Sequence, residues 1–321
     1  MPRISQKHVP LLSTIGVFVL LYAIASVRYE RFFSLRVFLN FFVDNSFLGI
    51  IAVGMTFVIL SGGIDLSVGS VLALTTVVAA LLIEQLGVHP VVAMVAVLAL
   101  GTLLGFAMGC VIHFVGLAPF IVTLAGLFFA RGLALVLCDG SITIDDGFYR
   151  ALTAWKIPLG RTGLPLTALV FLATLAVGIY VSIYTAFGRN VYAIGGNEEA
   201  ATLMGVPVGR TKIGVYTLSG FCAALAGVVY TLYGSSGDPR AGVGLELDAI
   251  AAVVVGGTLL TGGVGYLFGT LIGVLIFGVI QTAITFENLN SWWTRVAIGL
   301  LLLLFILLQK LFARPGMRSD T

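Results

Sequence analysis

An all-α bundle of about ten membrane-spanning helices is the fold this sequence predicts, and three observations predict it. Of 321 residues, 59% are hydrophobic and only 10% charged, against about 25% charged in soluble domains. So few charges cannot cover a surface facing water, whereas a bilayer demands an apolar exterior. Apolar runs recur at 11–27, 46–61, 67–86, 88–115, 117–138, 165–186, 213–235, 247–261, 263–283 and 292–312, most near the roughly 20 residues a crossing takes. The longest polar stretches, 139–164 and 187–212, are loop-sized, so residues 1–321 read as a single transmembrane domain.

The elements follow in order. Arg3 and Lys7 precede the run 11–27, and Ala23-Ile24-Ala25 resembles a signal-peptidase site. An uncleaved first span is the expected outcome. Segment 28–45 is amphipathic and rich in Arg and Phe, which suits the membrane interface. The runs 46–61 and 247–261 are short for a straight crossing. Each stops at a glycine pair, Gly62-Gly63 and Gly262-Gly263, and another apolar run follows at once. Interrupted segments in corresponding positions point to broken helices lining a pathway. The two places also form an internal repeat: Leu60–Ser70 (LSGGIDLSVGS) aligns without gaps on Leu260–Thr270 (LTGGVGYLFGT). A repeat at this separation implies two related halves. Gly101, Gly105 and Gly109, and again Gly265, Gly269 and Gly273, recur every fourth residue, a spacing for close helix packing.

Composition also excludes functions. A net charge of +3 is too small to imply a nucleic-acid partner. Cys110, Cys138 and Cys222 have no pairing framework, and His8, His89 and His113 stand apart from acidic or thiol clusters, so neither a metal nor a cofactor is expected. Leu60–Gly63 matches the LSGG of ATPase signatures, but the chain has no G-x-x-x-x-G-K-[ST] loop and the tetrapeptide lies between membrane runs. The GGVGYLFG stretch has the wrong glycine spacing for a dinucleotide site. No catalytic cluster is visible, so the chain does not read as an enzyme.

The candidate pathway residues are Ser61, Gly62, Gly63, Asp65, Ser67, Thr261, Gly262 and Gly263. A carboxylate between two membrane runs is costly. Asp65 therefore caps the following helix, lines a wet pathway, or binds a coupling ion. Ser70, Thr75 and Thr270 add neutral hydroxyls suited to a polyol or to bonds between helices. Arg131, alone among basic residues deep in an apolar run, reads as a snorkelling group, a partner of Asp139, or a gate. In the loop 187–212, Asn197 is placed to cap a short helix from Glu198 to about Met204, ended by Gly205. Such a helix offers Leu203 and Met204 to a soluble partner.

Four stretches resemble the permeases of ribose-type sugar ABC importers: 54–74, 118–126, 188–206 and 254–281, which together span most of the chain. The narrower resemblance is to galactofuranose importer permeases of enteric bacteria. The resemblance implies a permease subunit in a bacterial inner membrane, taking sugar from a periplasmic binding protein and working with a second permease subunit, identical or paralogous. An ABC ATPase subunit would dock on the loop at 187–212 through Arg189, Gly195, Asn197, Glu198, Ala200, Leu203, Met204 and Gly205. Lys and Arg are almost evenly divided between the two sides of a ten-span topology, so the positive-inside rule does not set its direction. The resemblance does, placing this loop and both termini in the cytoplasm and the loop at 139–164 in the periplasm. A stand-alone secondary transporter or channel is the rival reading. It would require more intramembrane charge than Asp65 and Arg131 supply.

Overall fold

The computed structural model describes residues 9–159, 162–290 and 292–312. Arg3, Lys7, Arg161, Arg314 and Arg318, and with them the two termini, lie outside the described residues. All ten apolar runs are helical. They form α1 (Val9–Arg28), α3 (Ser46–Leu60), α4 (Val68–Ala80), α5 (Pro90–Cys110), α6 (Pro119–Leu137), α8 (Leu166–Tyr184), α11 (Val208–Gly234), α12 (Leu245–Val255), α13 (Leu267–Phe286) and α14 (Trp292–Phe312). Four further helices come from polar or amphipathic segments: α2 (Leu35–Asp44), α7 (Gly147–Ala154), α9 (Ala186–Gly196) and α10 (Glu198–Leu203). Single π turns extend α4 through Gln85 and α5 through Val115.

The tally of crossings differs from ten. Among the described residues seven helices are long and apolar enough to cross a bilayer alone, or eight if α2 and α3, bent by 58°, count as one broken span. The remaining runs yield α12, of only 11 residues, and α14, of 21. Segment 28–45 is thus more than an interfacial strip. Ser34 caps α2, accepting from the Val37 N–H at 3.3 Å, and Phe41 is buried against α13. The loop-sized stretch 139–164 contains α7 and strands β1 (Ile142–Thr143), β2 (Lys156–Leu159) and β3 (Thr162–Pro165). Strand β1 pairs antiparallel with β4 (Ser236–Gly237), and β2 with β3. Backbone outside the bilayer is free to pair in this way.

Helix α3 forms the centre. It is apolar on every face, and such a helix is stable only when surrounded. Fourteen of its fifteen residues are buried, enclosed by α8, α11, α12 and α13. The peripheral helices turn apolar residues outward, with Phe128 68% and Val136 83% exposed, which a lipid environment favours over water. The 200-residue repeat is visible in the elements: α12 and α13 each begin one residue short of that offset from α3 and α4.

The glycine spacing works as packing. Helices α5 and α11 run antiparallel in close contact, with Gly101 against Gly220 and Ala224, Gly105 against Tyr216 and Gly220, and Gly109 against Ile213. A Cβ at Gly105 would stand 3.0 Å from the Gly220 Cα, so backbone would have to part. In the second set only Gly269 and Gly273 are helical, packing on α12, because α13 starts at Leu267; Gly265 lies in the break, against Thr258. Gly105→Leu should therefore cost at least the roughly 1–3 kcal/mol of an overpacked core. Gly132→Ala, with nothing within 4 Å of the new Cβ, should be neutral. Melting temperatures of the two variants in detergent check the contrast.

Candidate functional site

Two breaks that are 200 residues apart in sequence touch in space. Helix α3 ends at Leu60, and Gly62 turns the chain with φ +83°. Gly262 and Gly263 do the same after α12, at φ +85° and +72°, values that favour glycine because it has no Cβ. The Gly263 N–H donates to the Leu60 carbonyl at 2.9 Å, so one break's free donor satisfies the other's free acceptor. A third glycine pair, Gly195-Gly196 at the end of α9, lies against both. A Cβ on Gly195 would collide with the Leu60 carbonyl oxygen, and one on Gly263 would stand 2.7 Å from the Gly196 nitrogen. The Tyr192 hydroxyl adds a strap, donating to the Gly265 carbonyl at 2.9 Å. Sequence reading singled out Gly195 and both breaks; Gly196, Tyr192 and the junction itself emerge only in three dimensions.

Beyond the first break lies Asp65, fully buried. Its Oδ1 accepts from the Ser67 N–H at 2.9 Å and the Ser67 hydroxyl at 2.6 Å, and its Oδ2 accepts from the Ser219 hydroxyl at 2.7 Å. The carboxylate thus closes the turn leading into α4 and ties it to α11. Ser219 is eleven residues past Val208, about 16 Å along the helix, so this tie lies well inside the bundle. The Tyr216 hydroxyl, one turn earlier, is buried beside Gly63 with no hydrogen-bond partner among the described residues. Tyr216 and Ser219 share a face of α11 at helical spacing, the one sequence signal that points to them.

The other candidates divide. Thr270 pairs with Thr56 at 2.8 Å, linking α13 to α3. Thr75 bonds its own helix at Leu72, Ser61 bonds Val58, and Thr261 is exposed at the second break. Arg131 turns away from Asp139. Its Nη1 donates to the Pro239 and Ala241 carbonyls, each at 2.7 Å, fastening α6 to the loop before α12.

The loop at 187–212 folds as two helices. Thr185 accepts from the Gly188 N–H at 3.2 Å to start α9, and Asn197 accepts from the Ala200 N–H at 2.9 Å to start α10. Gly205, at φ +78°, ends α10. Glu198 pairs with Lys212 at 2.7 Å, which orients α10 on the start of α11. Arg189, Asn197, Glu198 and Ala200 are exposed. Leu203 is 90% and Met204 73% exposed, so apolar side chains project from a polar, bundle-anchored helix.

A family model described as "Branched-chain amino acid transport system / permease component" matches residues 37–306. The chain is 51% identical to the inner membrane ABC transporter permease protein YjfF of Escherichia coli K12, over 95% of this chain and 93% of that one. It is 43% identical to the ribose import permease protein RbsC of Haemophilus influenzae, with 90% of each chain covered. To the fructose import permease protein FruG of Bifidobacterium longum it is 36% identical, over 98% and 94%. No solved structure matches it. Breaks joined through backbone, a protruding polar helix and relatives matched almost end to end lead to one assignment: the chain belongs to this family of ABC permease components, among its ribose-type sugar permeases, which do not themselves hydrolyse ATP.

Proposed function

We propose that the protein is the permease subunit of an ATP-driven sugar importer of a bacterial inner membrane. It receives a monosaccharide from a periplasmic binding protein and pairs with a second permease subunit. An ABC ATPase engages α10 from the cytoplasm, which places the termini on that side and the loop at 139–164 in the periplasm. Sugar-importing relatives support the substrate class, and the motif resemblance to galactofuranose importer permeases supports galactofuranose within it. The observation that carries the mechanism is the junction of Gly195-Gly196 with both helix breaks.

The geometry makes α9 the transmitting element. ATP binding in the partner displaces α10 through Leu203 and Met204. The displacement passes across Asn197 to α9, whose last turn rests on Leu60 and Gly263. Because all three pairs meet backbone to backbone, no flexible side chain absorbs the movement. Both breaks shift together, and the helices they start, α4 and α13, shift with them. Discrete rearrangement of packed helices is how such displacements become alternating access. The pathway residues Ser61, Gly62, Gly63, Asp65, Ser67, Thr261, Gly262 and Gly263 then lie on the moving parts.

Gly195→Ala places a methyl on the Leu60 carbonyl and should reduce sugar uptake by at least about tenfold, a loss of roughly 1.4 kcal/mol of coupling, while ATP hydrolysis continues. Gly205→Val strains the end of α10 and should likewise separate hydrolysis from uptake. Normal sugar-stimulated hydrolysis with normal uptake in both variants overturns the coupling role. Met204→Asp should abolish co-purification of the ATPase subunit. Uptake of labelled galactofuranose, ribose and fructose, with and without the ATPase, tests the function itself; uptake independent of the ATPase would identify a stand-alone transporter.

A further inference from the structure

A cavity of about 750 Å³, lined by both polar and apolar side chains, lies among α2, α3, α11, α12, α13 and α14. Chain direction places it at the end of the bundle opposite α10. Helix α11 leaves the 187–212 loop and runs 27 residues, about 40 Å, so Tyr233 near its end is on the far face. Helix α13 likewise departs from the second break and ends at Phe286 beside the cavity. None of the break residues lines it, so it is separate from the junction described above.

Its wall suits an uncharged, hydroxyl-rich ligand. Asp44 and Asp248 supply acceptors, Gln281 both donor and acceptor, Arg295 donors, and Trp292 and Tyr233 flat apolar rings. Present internal contacts leave much of that capacity unused. Tyr233 donates to Asp44 across 3.3 Å, and Arg295 stacks on Trp292 at 4.8 Å while reaching the Val243 carbonyl only at 3.4 Å. Two carboxylates against one guanidinium repel an anion. Among the described residues no group of three ligating side chains could hold a metal. Six polar or amphipathic groups around one hollow would be desolvated at a loss by an acyl chain. The volume falls within the roughly 300–1,000 Å³ of small-molecule sites.

We propose that this cavity is a monosaccharide-binding subsite of the permease itself, occupied on the face opposite α10 before the breaks open. The inference rests on the sugar-import reading above. Ring faces of the sugar stack on Trp292, and its hydroxyls bond to Asp44, Asp248 and Gln281. Selectivity then has a second checkpoint after the binding protein.

The test uses the full-length permease in nanodiscs and the complete importer in proteoliposomes. The probes are labelled galactofuranose, ribose and fructose, with two variants: Asp248→Asn, which keeps size and removes the charge, and Trp292→Leu, which removes the stacking face. The permease without binding protein should bind whichever sugar the importer carries. Both variants should weaken that binding about tenfold, one by turning a charge-assisted hydrogen bond into a neutral one and the other by removing the aromatic face, with ATPase co-purification unchanged. An importer that carries a sugar which the nanodisc permease does not bind, and whose variants transport normally, overturns the subsite alone. Unaltered binding in both variants assigns the sugar to another place and also overturns it. A complete importer that carries none of the three sugars removes the sugar reading and this inference together.

Discussion

Backbone meeting backbone without a Cβ between is the constraint on which this structure depends. Where α3 and α12 break, each leaves main-chain groups that a bilayer will not solvate, and such groups must find partners inside the protein. The Gly263 N–H finds the Leu60 carbonyl, and that bond forms only because Gly62, Gly262 and Gly195 leave room for three chains to converge. That hydrogen bond links the two breaks directly and with them the two repeats. The same absence of side chains lets α5 and α11 pack closely along Gly101, Gly105 and Gly220.

That convergence also determines what can move. A junction cushioned by long side chains would dissipate a push by rotamer changes. Stiff backbone contacts pass it on, since packed interiors respond by switching between arrangements rather than by yielding gradually. Helix α9 is fixed at three points, by Gly195 on Leu60, by Gly196 near Gly263, and by the Tyr192 hydroxyl on Gly265. Asp65 adds stiffness on the inner side. Its three hydrogen bonds hold the turn before α4 against Ser219 of α11, and a carboxylate so satisfied keeps the broken segment ordered at depth.

Much of this was legible before any coordinates. Each of the ten apolar runs is helical, because a membrane segment can satisfy its backbone only by folding on itself. The short helix after Asn197 was legible because a cap acts within four residues. The sequence leaves Asp65 as a cap for the following helix, a pathway group or an ion ligand. In the structure Ser67 stands at the N-cap of α4 without a side-chain cap bond, and Asp65 closes the turn before it by accepting from the Ser67 N–H. Ser219, Tyr216 and Tyr192 were not legible. Their partners lie far along the chain, and polar residues at helical spacing on an apolar helix do not announce what they meet. Arg131 shows the limit most plainly: a charge in an apolar run had to find oxygen, but backbone carbonyls of residues 239 and 241 carry no side-chain signature.

What the sequence by itself determined was the solvent, the helices, the two breaks and the protruding short helix after Asn197. Each follows from composition, or from interactions within a few residues. Tertiary structure alone decided that α12 falls short of a full-length span, that segment 28–45 bends into the bundle as α2, and that three glycine pairs meet at one point. It also gathered Asp44, Tyr233, Asp248, Gln281 and Trp292 around one cavity. These outcomes rest on which distant segments pack together. Apolar surfaces are too alike for that choice to be read without the closed bundle, whereas a missing Cβ or an unpaired backbone group becomes decisive once the chains are in contact.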